Sequence, residues 1–92
     1  MTYRLEFRSA RVEKQYENFL MSFPLEERQA ITEKIEDLQH NPRPRGCKKI
    51  KGDVYGIRFG DWRVAYYIYK KERVVLVAKI DRRREGFYKE FR

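Results

Sequence analysis

From Thr2 to Arg8, apolar Tyr3, Leu5 and Phe7 alternate with Thr2, Arg4, Glu6 and Arg8. A period of two predicts a short half-buried strand. The period changes after Ser9, a suitable helix N-cap. From Ala10 the apolar positions are Val12, Tyr16, Phe19, Leu20 and Phe23, one helical stripe. Pro24 ends that helix and suits the first turn of another. Glu26 and Glu27 then favour a helix N-terminus, and Ala30, Ile31, Ile35 and Leu38 form a second stripe. His40-Asn41-Pro42 closes it, and 41–46 (NPRPRG) is a loop by its prolines and glycine.

Beyond the loop, Lys48-Lys49-Ile50-Lys51-Gly52 leads into two β-prone runs flanking Gly60-Asp61. Gly at the first central position suits a type II′ two-residue hairpin. In that register Phe59 faces Trp62, Ile57 faces Val64 and Tyr55 faces Tyr66, and Ile68 extends the apolar face. Gly56, Arg58, Arg63, Ala65 and Tyr67 line the other. Lys70 to Arg73 is a polar turn, and Val74 to Ala78 a buried strand pairing back on the hairpin. That strand is apolar on both faces, so its register stays open. A final helical turn is expected at Lys89 to Arg92.

The order is therefore β-α-α-β-β-β. The last three strands form an antiparallel meander, and the first must join the same sheet to find a partner. The helix pair covers one face. The class is α+β, an antiparallel sheet packed on an αα-hairpin, and 92 residues make one domain, 1–92. One cysteine, Cys47, permits no internal disulfide, and no apolar run approaches the ~20 residues of a membrane span. A cytoplasmic protein with no membrane association is expected.

Charge changes the picture more than composition does. The net charge of +8 is segregated. Residues 1–40 carry six Lys/Arg against eight Asp/Glu, while 41–92 carry sixteen against six. Basicity gathered in one half and interleaved with aromatics points to a polyanion, above all nucleic acid. Arg58 opposite Arg63 sharpens this, because like charges facing across a hairpin are destabilising. An anion lying between them would account for the pair. Lys48, Lys49, Lys51, Arg82 and Arg84 are candidate RNA contacts, and Tyr67 and Tyr88 candidate stacking platforms.

Other chemistry finds little support. His40 is the only histidine, and neither it nor Cys47 has partners for a metal or a nucleophilic pair. No metal or cofactor is expected. Asp61 and Asp81 read as structural turn or strand-end carboxylates. Arginines can stabilise charge building on a phosphate, but the usual proton-transfer residue is missing. The residues by themselves lead to phosphate binding and potential RNA cleavage.

The ordered set Lys49-Ile50-Lys51-Gly52, Tyr55-x-Ile57-Arg58-x-Gly60-Asp61-Trp62-Arg63-Val64-x-Tyr66 and Arg82-Arg83-Arg84-x-x-x-Tyr88 resembles the RelE/ParE superfamily of type II toxins, nearest its RelE branch. The resemblance implies a ribosome-dependent endoribonuclease that cuts mRNA in the A site through the 2′-OH, without metal. It also implies a cognate antitoxin as partner, besides the ribosome and mRNA. By the same resemblance Arg58 contacts the scissile phosphate and Arg63 stabilises the transition state. Arg83 is associated with leaving-group protonation, and Tyr88 positions a base or assists catalysis. Gly56 stands where the RelE type carries a lysine that activates the 2′-OH, leaving Lys49 or Lys51 as substitutes, and Asp81 where glycine is common. Two alternatives remain open: a non-enzymatic, ParE-like inhibitor of DNA gyrase, and a catalytically weak RNA-binding relative.

Overall fold

The structure, a computed structural model, describes residues 2–92. Strand β1 (Arg4–Phe7) is followed by helices α1 (Ala10–Met21) and α2 (Leu25–Glu36) and a 3-10 turn (Asp37–Gln39). Strands β2 (Lys48–Lys51), β3 (Val54–Phe59), β4 (Trp62–Tyr69) and β5 (Val74–Arg82) complete one sheet in the order β1-β5-β4-β3-β2, with a 3-10 turn at Lys89–Phe91.

The helices start where the chain's polar signals place them. Ser9 caps α1, its hydroxyl oxygen accepting from the Val12 N–H at 3.2 Å. Pro24 is the N-cap of α2, and Glu26 and Glu27 stand in its first turn. Ala30 is exposed, and Leu38 is buried from the 3-10 turn rather than from the helix.

The hairpin register is the expected one. Phe59 pairs with Trp62, Arg58 with Arg63, Ile57 with Val64 and Tyr55 with Tyr66. Gly60 has φ +59° and Asp61 does not have a positive φ, as a type II′ turn requires. Two features extend the expected plan. The run at Lys48–Lys51 is itself an edge strand on β3, with a bulge between Lys49 and Lys51. The sheet is antiparallel except at β1, which runs parallel to β5 on the opposite edge.

The register of β5 is also fixed by a bulge. Ala65 pairs with Lys79 and Tyr66 with Val77, so Ala78 is an extra residue. It shifts the alternation: Ala78 and Lys79 both point to the face away from the helices, and Ile80 returns to the helix side. The inner face packs Phe59, Val64, Val77 and Ile80 on Val12, Phe19, Ile31 and Ile35. The outer face carries its own small core, in which Phe87 and Phe91 of the C-terminal segment cover Val54, Ala65 and Ala78.

At the far end of the inner face Tyr66 is fully buried and its hydroxyl donates to the Pro42 carbonyl at 2.7 Å. Burial, then the neighbouring Cys47, pushes this phenol far above its usual ionisation range. Because the folded value is raised, the stabilisation is intact below the unfolded value of about 10 and lost as pH climbs past it. Tyr66→Phe is expected to cost about 1 kcal/mol in urea melts at neutral pH. The same change is expected to reduce the alkaline loss of stability.

Candidate functional site

The C-terminal segment builds the site. After β5 the chain turns back over the outer face, starting with the Arg83 N–H donating to the Asp61 carbonyl. Lys79 then anchors it. Its ammonium donates to the Phe87 carbonyl at 2.9 Å, pairs with Glu90 at 2.9 Å and lies 4.6 Å from the centre of the Phe87 ring. Arg8 adds a longer pair to Glu90 at 3.9 Å. This lysine carries no motif signal. It is visible only once the β5 bulge puts it on the outer face.

Between the segment and the hairpin lies a cleft of about 370 Å³ lined by Arg63, Arg83, Arg84, Gly86, Phe87, Tyr88, Lys89 and Arg92. No Asp or Glu lines it among the described residues. Asp81 sits just outside, its carboxylate accepting from the Arg82 N–H at 2.7 Å and pairing with Arg84 at 2.9 Å. That pair offsets the Arg84 charge and leaves Arg63, Arg83, Lys89 and Arg92 as the cations without an acidic partner in the cleft.

Arg63 is the most constrained of them. It is half-buried, and its guanidinium donates to the Gly60 and Trp62 carbonyls, both at 3.1 Å. The fork is thereby held at the hairpin end rather than swinging in solvent. Tyr88 is half-buried, with its ring 4.7 Å from Phe87 in an edge-on arrangement. Burial raises its ionisation above the usual phenol value, while the Arg63 charge pulls it down. Burial dominates, so Tyr88 faces the cleft as a neutral phenol, a hydrogen-bond donor.

The remaining sequence-predicted residues divide. Arg58 is in register with Arg63, yet it is exposed and lines a different depression, with Lys34, Asp37 and Arg45. The two arginines, though in register, line different depressions. Arg82 is in register with Trp62 and lies over its indole at 4.9 Å, on the helix side of the sheet and away from the cleft. The bulge in β5 sets that direction.

Tyr67 stacks on Tyr69 at 5.5 Å and receives the edge of Phe91 at 6.0 Å, so its ring belongs to the outer core rather than to a free platform. Among the lysines, Lys48 is the one in register with Gly56 and so on the outer face. Lys49 pairs with Tyr55 and lines a depression beside Arg43. Lys51 is exposed and in register with Val54, about 13 Å along β3 from Arg58. Neither Lys49 nor Lys51 lines the Arg63 cleft. Lys89 and Arg92 do line it, and only their position in a basic C-terminal stretch could have suggested them.

Residues 9–87 match the model of the ParE toxin of the type II toxin–antitoxin system, parDE. The chain belongs to the ParE toxin family. A relative of this toxin, the putative toxin RelE1 of Methanocaldococcus jannaschii, is 37% identical over 75 residues, covering 76% of this chain and 82% of the relative. The toxin also superposes on the archaeal RelE–RelB complex from Pyrococcus horikoshii with a TM-score of 0.67 and 29% identity, over 92% of this chain and 99% of that one. Isolated Escherichia coli RelE shares the fold, with a TM-score of 0.65 at 22% identity over 97% and 94% of the two chains. Among the described residues no three metal-ligating side chains cluster, and no helix is long and apolar enough to cross a membrane.

Proposed function

We propose that this toxin is a ribosome-dependent endoribonuclease, one domain over 1–92, that cuts mRNA in the A site. The observation that supports the reading is the cleft lined by Arg63, Arg83 and Tyr88, with no Asp or Glu in its lining among the described residues. In the reaction the 2′-oxygen bonds to phosphorus, the P–O5′ bond breaks, and a 2′,3′-cyclic phosphate forms. Charge builds on the equatorial oxygens, where preorganised guanidinium groups are worth most. Arg63, held by two backbone carbonyls, supplies that stabilisation. Arg83 and the neutral Tyr88 phenol stand on the leaving-group side as the hydrogen-bond donors.

Among the described residues the cleft offers no histidine or acidic side chain to accept the 2′-hydroxyl proton. Water or a group of the ribosome takes that part. Arg58, with Arg45 and Lys34, then serves the path of the strand rather than the scissile phosphate. The RelE structures solved with RelB antitoxins support a cognate antitoxin for this chain too.

The test is toeprinting of a translated message with the purified toxin. Cuts at codons in the A site, absent without translating ribosomes, are expected, and an intact message would overturn the reading. A second reading, inhibition of DNA gyrase without catalysis, is favoured by the match to the ParE model. It requires the message to survive and gyrase supercoiling to fall.

Phosphate binding also leaves a salt signature. Lys89→Ala combined with Arg92→Ala is expected to flatten the salt dependence of single-stranded RNA binding, by about 0.7 in log–log slope for each phosphate no longer neutralised. Filter binding across a salt series reads this directly.

A further inference from the structure

We propose that Gly56 is a positioning residue: the bare backbone of β3 at this point is the socket that seats Tyr88 beside Arg63. The catalytic part of this inference rests on the cleavage reading above, and the socket itself does not.

Gly56 is buried in the middle of β3, in register with Lys48 on one side and Ala65 on the other. Its backbone is not left-handed, so conformational freedom does not explain a glycine there. A bulge does not explain it either. The β3–β4 pairing runs evenly through Gly56, and the β2 irregularity lies beyond, between Lys49 and Lys51. What does explain it is close approach from outside the sheet. A Cβ on residue 56 would lie 2.3 Å from the Tyr88 hydroxyl oxygen, 2.7 Å from Cζ and 2.9 Å from Cε1. The phenol fills the space where a strand side chain would begin.

The neighbours complete the socket. Ala65, opposite Gly56, is fully buried and equally shallow on the outer face. Phe87 lies edge-on to the Tyr88 ring and fixes its plane, and Lys79 fixes Phe87 from below. The raised phenol ionisation and its opposition by Arg63 agree with a ring sunk into the sheet within reach of the guanidinium. Position 56 and residue 88 are therefore coupled. One site holds either a side chain from the strand or the phenol from the C-terminal segment.

The experiment is a double-mutant cycle on the full chain with Gly56→Ala, Tyr88→Ala and both together, read by cleavage kinetics and thermal melts. Tyr88 ionisation is followed in parallel as the alkaline difference spectrum against Tyr88→Phe in each background at position 56. Gly56→Ala is expected to lower kcat by roughly 100-fold with little change in KM, the cost of displacing a positioned group. The double variant is expected to be no slower than Tyr88→Ala, and to recover any melting temperature that Gly56→Ala loses. The Tyr88 midpoint is expected to fall towards the ordinary 10.0 in the Gly56→Ala background.

Wild-type kcat in Gly56→Ala, or single losses that multiply in the double variant, would overturn the inference. If the wild-type toxin cuts no message, the cleavage reading fails alone and the titration judges the socket. An unshifted Tyr88 midpoint then refutes it. Should Gly56→Ala not fold, the double variant must fold, and its failure to do so refutes the socket as well.

Discussion

Arg63→Ala is expected to reduce message cleavage by about 10²–10³-fold, the usual loss when one preorganised donor to a developing oxyanion is removed. Arg63 has the geometry for an effect of that size. Its guanidinium is tied to the Gly60 and Trp62 carbonyls and lines the cleft with Arg83 and Tyr88. It therefore meets the phosphate without reorganising at the moment of reaction. Stability is expected to change by no more than about 1 kcal/mol, because the two hydrogen bonds removed are partly exposed. Arg63→Lys keeps the charge but not the fork, and should fall between wild type and alanine. Arg58→Ala is the comparison that matters. It removes an equal charge from the directly opposite strand position, but from a depression beside Lys34 and Arg45. Its effect is expected below about 10-fold and in binding rather than in rate, since a peripheral phosphate contact is felt equally before and in the transition state. Single-turnover kinetics on programmed ribosomes separates the two. Equal losses for the two alanine variants would mean that the cleft is not where charge develops.

The contrast between those two arginines also marks what could be read from the chain. Their pairing was legible, because a two-residue turn at Gly60-Asp61 fixes every partner by position alone. The helix starts were legible for the same reason: Ser9 and Pro24 are local signals. The directions of Arg58 and Arg82 were not. Arg82 is turned to the Trp62 side by a bulge at Ala78, in a strand apolar on both faces, where alternation carries no information. Strand β2 is hidden in the sequence because its residues, KKIK, are polar at an edge and show no period of two. The cleft's far wall was also out of reach. Lys89 and Arg92 line it only because the C-terminal segment folds back over the sheet, and Lys79 can anchor that segment only because the β5 bulge turns it outward. Tyr88 was legible as a residue through the family resemblance, but its seat on Gly56 was not. By that resemblance, Gly56 looks like a missing lysine. In the fold it is the space that a tyrosine fills.

Phe87→Ala and Phe19→Ala remove buried rings packed on opposite faces of the sheet and are expected to fail in different ways. Each leaves a cavity whose cost is about 3–5 kcal/mol. Phe19, fully buried, meets Phe23, Phe59 and Trp62 at 5.3, 5.5 and 5.3 Å. It joins α1 to β3 and β4, so its loss loosens the helix layer from the sheet. Against a total stability of about 5–15 kcal/mol, Phe19→Ala should bring the whole chain near unfolding. Phe87, 3% exposed, holds only the segment after β5, with Phe91, the Lys79 ammonium and the small residues beneath. Its loss is expected to release that segment while β3, β4 and β5 stay backed by the helices. Hydrogen exchange should then quicken over 83–92 with the central strands still protected, as for a local opening unit. Cleavage should fall at least as far as in Tyr88→Ala, because Arg83 and Tyr88 leave the cleft together. Exchange mass spectrometry beside a thermal melt makes the distinction. If Phe87→Ala instead lowers protection evenly through the sheet, the two faces form one cooperative unit, and the cleft cannot open without unfolding the toxin.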